Sequence, residues 1–134
     1  MSKLRIEIFP DDLDLAVSFY CEVLGFALTR DEREASSPYV ALQLGGVRLG
    51  AAQRPTVHAE LRRPPSGAEL VLEVDRLHDA RQRVEESGWP IDEDITVRPW
   101  GLADFRIVDP FGYYWRITDS EPAAVETDPD RTAS

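Results

Sequence analysis

The stretch IEIFPDDLDLAVSFYCEVLGF, residues 6–26, decides the fold, because LVLEVDRLHDARQRVEESGW, residues 70–89, says nearly the same thing again. Each segment is an apolar-alternating strand, an aspartate, an amphipathic helix, then a glycine followed by an aromatic residue (Gly25-Phe26 and Gly88-Trp89). Asp12 stands as far from Gly25 as Asp75 does from Gly88. A half of this kind has an apolar face that it cannot bury alone, so two halves must pack together and leave a cleft between them.

Working outward, Leu4, Ile6 and Ile8 alternate with Arg5 and Glu7 over residues 3–9, the pattern of a half-buried strand. Pro10, Asp11 and Asp12 supply a turn and a helix N-cap. Leu13, Ala16, Val17, Tyr20 and Leu24 recur at helical spacing up to Gly25. Residues 26–31 form a second strand, and residues 39–44 and 47–52 a hairpin through Gly45-Gly46. Pro55, Pro64, Pro65 and Gly67 mark residues 54–67 as a connector. The second half repeats the order: a strand at 70–74, and a helix over 75–87 with Leu77, Ala80 and Val84 inward. Strands at 91–98, 104–108 and 113–118 follow, with Asp109-Pro110-Phe111-Gly112 turning the chain between the last two. The fold class is α+β: two βαβββ modules, 3–53 and 68–118, in one domain over residues 1–118.

Composition narrows the function classes. At 134 residues with 43% apolar side chains, the chain suits one globular domain with a real core. No stretch reaches the roughly 20 apolar residues of a membrane span, and MSKLRIEIF enters a strand directly without a signal-peptide core. The formal charge of -10 and the lack of any Lys/Arg run argue against nucleic acid. A single cysteine, Cys21, rules out an internal disulfide and points to the cytoplasm; its apolar neighbours suggest a buried structural thiol. Residues 119–134 are acidic with almost no large apolar side chain, the composition of a disordered tail.

The pairing of FYCEVLGF (19–26) with RPWGLADFRIVDPFGYYWRIT (98–118), in two βαβββ halves, resembles the vicinal oxygen chelate superfamily of glyoxalase I, extradiol dioxygenases and bleomycin resistance proteins. Trp100-Gly101, Phe105, Asp109-Pro110 and Gly112 are most similar to the bleomycin-resistance branch. The resemblance covers residues 4–118 and implies curved sheets around a groove, with the helices outside. In metal-dependent relatives, side chains from the first and last strands of each half chelate a divalent ion. Carried onto this chain, those positions fall on Arg5 (or, two residues on, Glu7), near Gly50, on Glu69 and on Arg116. Arginine has no lone pair to give a metal. His58, in the connector, and His78, in the second helix, lie away from these strands. The expectation is therefore no metal and no cofactor.

Strand parity selects what faces the groove: Arg5 and Glu7 from the first strand, Glu69, Val71 and Glu73 from the fifth, and Tyr114, Arg116 and Thr118 from the last, with Gln43 and Arg48 from the hairpin. Arg5, Glu69 and Arg116 are expected to meet, either as a salt-bridge cluster in place of a metal or as an anchor for a carboxylate or phosphate. Tyr39 and Trp100 precede strands, where each either stacks on a planar ligand or plugs the core; the resemblance sets the segment around Trp100 beside the ligand groove. Phe111, in the turn, is either a subunit contact or merely tolerated. These readings favour a metal-free small-molecule binder, working as a homodimer on a cationic or planar compound. The alternatives are a glyoxalase-like lyase, isomerase or dioxygenase with a metal, and a metal-free enzyme in which Glu69 or Glu73 is the general base and Arg116 stabilises an oxyanion.

Overall fold

The computed structural model describes residues 2–62, 65 and 67–120. Most of the predicted tail, from residue 121 on, lies outside them. Four strands of the first half, β1 (Arg5–Ile8), β2 (Ala27–Glu32), β3 (Tyr39–Leu44) and β4 (Val47–Ala52), form one sheet in the order β1-β4-β3-β2. The second half repeats this with β5 (Leu70–Val74), β6 (Glu93–Val97), β7 (Ala103–Val108) and β8 (Tyr114–Asp119), ordered β5-β8-β7-β6. In each sheet the first strand runs parallel to the last and the other pairs are antiparallel. The duplicated sequence has become a duplicated topology. Among the described residues no helix is long and apolar enough to cross a membrane.

The first helix departs from the simple expectation. Asp12 caps it, accepting from the Leu15 N–H at 3.0 Å, but the α-helical part, α1, covers only Leu13–Ser18. Residues Phe19–Val23 widen into a π-helical turn. The wider turn puts two adjacent aromatics, Phe19 and Tyr20, into the core together with Val23 and Leu24. The second helix, α2 (Leu77–Ser87), starts two residues later than the sequence suggested and ends at Gly88, whose φ of 80° lies in the left-handed region that glycine adopts without strain. Residues Ala59–Arg62 of the connector wind into a short 3-10 turn that the sequence did not announce.

One core serves both modules. Ile8, Leu42 and Leu49 of the first sheet, the helix residues Leu13, Ala16, Phe19 and Tyr20, and Phe105, Ile107, Trp115 and Ile117 of the second sheet form a continuous buried cluster. Tyr20 meets Trp115 edge-on at 5.9 Å, and Phe19 meets Trp89 at 4.9 Å. Phe111 belongs to this core as well, 1% exposed. That corrects the expectation of a surface phenylalanine at a subunit contact: the connector covers the turn. Arg62 donates to the Phe111 carbonyl at 2.9 Å and lies over the Tyr113 ring, and a Cβ at Gly112 would come within 2.5 Å of the Ala59 backbone. Cys21 is partly rather than fully buried, and burial raises its thiol pKa.

At the centre of the core lies Asp109. Its carboxylate accepts from the Tyr20 hydroxyl, from Trp115 Nε1 at 3.3 Å, and from the N–H groups of Phe111 and Tyr113, both at 2.9 Å. Burial raises the carboxyl pKa while these four donors pull it back down. The same burial, with Asp109 alongside, drives the Tyr20 phenol well above its ordinary value. Tyr20→Phe keeps the ring but removes the donor, leaving a buried acceptor short of a partner. We expect it to lower unfolding stability by about 1–3 kcal/mol, measured by urea denaturation; an unchanged midpoint would show that the hydroxyl is dispensable.

Candidate functional site on the open sheet faces

With helices on one face of each sheet, the other face carries the polar side chains singled out by strand parity. Arg5 is opposite Arg48 and Glu7 opposite Gly50 across β1 and β4; Arg48 is in turn opposite Gln43 on β3. On the second sheet Val71 is opposite Arg116, and Glu73 opposite Thr118. These residues are cross-strand neighbours within each sheet, and Trp115 and Ile117, which alternate with Arg116, are buried in the core.

The expected meeting of Arg5, Glu69 and Arg116 does not occur. Arg116 pairs with Glu69, Nε to Oε1 at 2.9 Å, while Arg5 pairs with Glu7 at 3.6 Å. Each sheet closes its own pair, because β1 and β5 belong to different sheets and a side chain reaches a neighbour within its own sheet most easily. On the first sheet Glu7 also accepts from the Tyr39 hydroxyl, at 3.1 and 3.2 Å to its two oxygens. Desolvation, then the Glu7 carboxylate, raises the Tyr39 phenol pKa. Tyr39 is the first residue of β3, not a flanking plug. Glu7 and Tyr39 fold over Gly50, where an added Cβ would sit 1.7 Å from Glu7 Oε2 and 2.1 Å from the Tyr39 hydroxyl.

Between the modules, a groove of about 310 Å³ is lined by Ile6, Glu7, Leu61, Arg62, Tyr113 and Tyr114, bringing the candidates Glu7 and Tyr114 to one opening. Here the Phe9 N–H donates to the Tyr113 hydroxyl at 3.1 Å, joining β1 to the second module. Tyr114 reaches the Asp92 carboxylate at 3.3 Å, and Gln43 donates to the Gly45 carbonyl. Trp100 lies in the β6–β7 turn and is 56% exposed, which removes the core-plug reading.

Sequence reasoning missed a cluster on the second sheet. Asp104 is wholly buried, and both of its oxygens accept from Arg98, whose Nη2 also donates to Glu93 at 2.7 Å. Arg106 stands beside it on the same face. Alternation in ADFRIV carried this signal, since Phe105 and Ile107 had to face the core.

The donor set does not suit a divalent cation. Arg5 and Arg116 offer no lone pair, the Gly50 region has no side chain, and Glu69 is engaged by Arg116. Among the described residues, no group of three His, Cys, Asp or Glu comes together in a way that could hold a metal ion.

Gly50→Ala tests the packed Glu7–Tyr39 pair. Both colliding atoms end flexible side chains, so the sheet should survive while the hydrogen bond breaks. We expect the Tyr39 phenol pKa to move down toward its ordinary value, followed by NMR through a pH titration; an unmoved titration would mean the pair adapts intact.

Comparison with known proteins gives the same frame. No match is found among curated proteins. The solved structure of TioX from Micromonospora sp. ML1 superposes with a TM-score of 0.72 at 22% identity, covering 89% of this chain and 98% of that one. A bleomycin resistance determinant encoded on the transposon Tn5 gives 0.74 at 21% identity, over 91% and 100% of the two chains. A bleomycin-binding protein complexed with bleomycin gives 0.72 at 21%, over 90% and 100%. At these identities the likeness establishes the fold. The sequence model described as Glyoxalase/Bleomycin resistance protein/Dioxygenase superfamily matches residues 4–117, nearly the whole described chain, and the protein belongs to that superfamily.

Proposed function

We propose that this chain is a metal-free small-molecule-binding protein of the bleomycin-resistance type, acting as a cytoplasmic homodimer that sequesters an amphipathic compound. The observation that carries the reading is chemical: positions that would supply a metal hold Arg5, Arg116 and a glycine, while the sheet faces around them stay open and polar. Sequestration needs affinity alone, with no group poised for proton transfer. Two structural neighbours, one a bleomycin resistance determinant and one holding bleomycin, support a ligand of that size class. The exposed apolar side chains Val71, on the open face of the second sheet, and Trp100, in the β6–β7 turn, favour a second copy covering part of this surface. The unpaired Cys21 fits a reducing compartment. The competing glyoxalase-like lyase, isomerase or dioxygenase would need ligands that these strands do not present. Of the two candidate bases, Glu69 is paired with Arg116, and Glu73 lies opposite Thr118 on the same sheet.

Calorimetric titration of the EDTA-treated protein with Zn, Ni, Mn and anaerobic Fe(II) separates the readings. The expected result is no stoichiometric heat with any of them; tight binding of one would return the protein to the metalloenzymes of its superfamily. Sedimentation velocity on the same sample is expected to show a dimer, and a monomer at all concentrations would remove the shared-face arrangement.

Trp100→Ala addresses the ligand itself. If the indole stacks on a planar group, the variant should bind bleomycin or a related planar glycopeptide more weakly by about 1–3 kcal/mol, read by calorimetry. Equal affinity in both proteins would take Trp100 out of the site.

A further inference from the structure

The open face of the second sheet carries two arginines side by side. Register places Glu93, Arg106, Arg116 and Val71 in one row across β6, β7, β8 and β5. Like charges directly opposite each other on adjacent strands repel, so the Arg106–Arg116 pair needs compensation. The nearby acids supply it incompletely. Asp104 is already bonded through both oxygens to Arg98, and its Oδ1 lies 3.6 Å from Arg106 Nε. Glu93 also accepts from Arg98. Among the described residues Glu69 pairs with Arg116 alone, and at 2.9 Å it is not aligned as a hydrogen-bond acceptor. Both Nε atoms, on Arg106 and on Arg116, are inaccessible to solvent and make no aligned hydrogen bond to the described residues, although a carboxylate oxygen lies 3.6 Å from the first and 2.9 Å from the second. The side chains themselves are only 20% and 26% exposed. Their Nη groups make no hydrogen bond to the described residues either, and this outer edge of the planar guanidinium is the part that matches a carboxylate or a phosphate.

We propose that Arg106 and Arg116 form an oxyanion subsite on the second module, which takes a carboxylate or phosphate carried by a small molecule with an apolar or aromatic body. The body has surfaces to rest on: Val71, 41% exposed, adjoins Arg116 in the row, and Tyr114 lies two residues before it on the same face. The inference rests on the small-molecule-binding reading and gives the ligand an acidic group, where overall charge had suggested a cationic one. The net charge of -10 describes the whole chain; this pair is a local exception that the long-range field does not reveal.

The full-length protein is titrated with benzoate and with phenyl phosphate, and with benzyl alcohol and benzylamine as neutral and cationic counterparts. The arginine Nε–H resonances are followed by 15N NMR. The expected result is saturable movement of the Arg106 and Arg116 signals with one or both anions and none with the counterparts. Stronger response to benzoate identifies a carboxylate site, and stronger response to phenyl phosphate a phosphate site. Arg106→Gln should weaken the effective anion about tenfold, and Arg106→Lys should recover only part of that, since lysine keeps the charge without the fork. Unmoved arginine signals, or equal movement with benzylamine, overturn the subsite. Binding of a planar glycopeptide without any anion response also overturns it and leaves sequestration standing; an anion response without glycopeptide binding upholds the subsite and counts against sequestration.

Discussion

A carboxylate taken out of water costs several kcal/mol unless its lone pairs are used, and Asp109 uses them on groups drawn from both halves of the chain. Tyr20 reaches it from the first module's π-helical turn, and Trp115 from the last strand of the second. The Phe111 and Tyr113 N–H groups come from the β7–β8 turn that Asp109 itself opens. The residue thus holds its own turn and clamps the first helix onto the second sheet. Phe19, Tyr20, Trp89 and Trp115 fill the space around it with edge-on ring contacts. The widened turn at Phe19–Val23 suits this arrangement, because it sends both Phe19 and Tyr20 inward.

With the helices and aromatics committed to the shared core, the opposite faces of the two sheets are left for polar chemistry, and the modules have diverged there. The first presents Glu7 and Tyr39 folded over Gly50, with Arg5 and Arg48 alongside. The second presents Arg98, Arg106 and Arg116 against Asp104, Glu93 and Glu69. The two sheets thus share a topology and differ in the side chains on these faces.

Several features were readable from the chain because they obey local rules. Alternation in residues 70–74 and 114–118 assigns each side chain to a face, so Arg116 and Glu69 on one side and Trp115 on the other follow from period alone. Asp12 as a cap, Gly88 as a stop and the Gly45-Gly46 hairpin depend on a few neighbouring residues. The duplicated topology and the superfamily follow from repeat spacing and from the motif around residues 98–118.

Other features belonged to the tertiary structure, because they join residues distant in sequence. The burial of Phe111 depends on where the connector's 3-10 turn comes to rest, and nothing in a DPFG turn specifies its cover. The partners of Arg5, Glu69 and Arg116 depended on which sheet each strand joined, and parity cannot decide that. Arg106 was visible as a residue, but that Arg98 bonds both oxygens of Asp104 while Arg106 stands 3.6 Å from one of them is a matter of tertiary distances. The sequence by itself determined the repeat and the strand faces, both matters of residue identity and period. Only the tertiary structure decided which charges neutralise one another and which remain available, because that depends on distances between elements that the chain's local rules leave free.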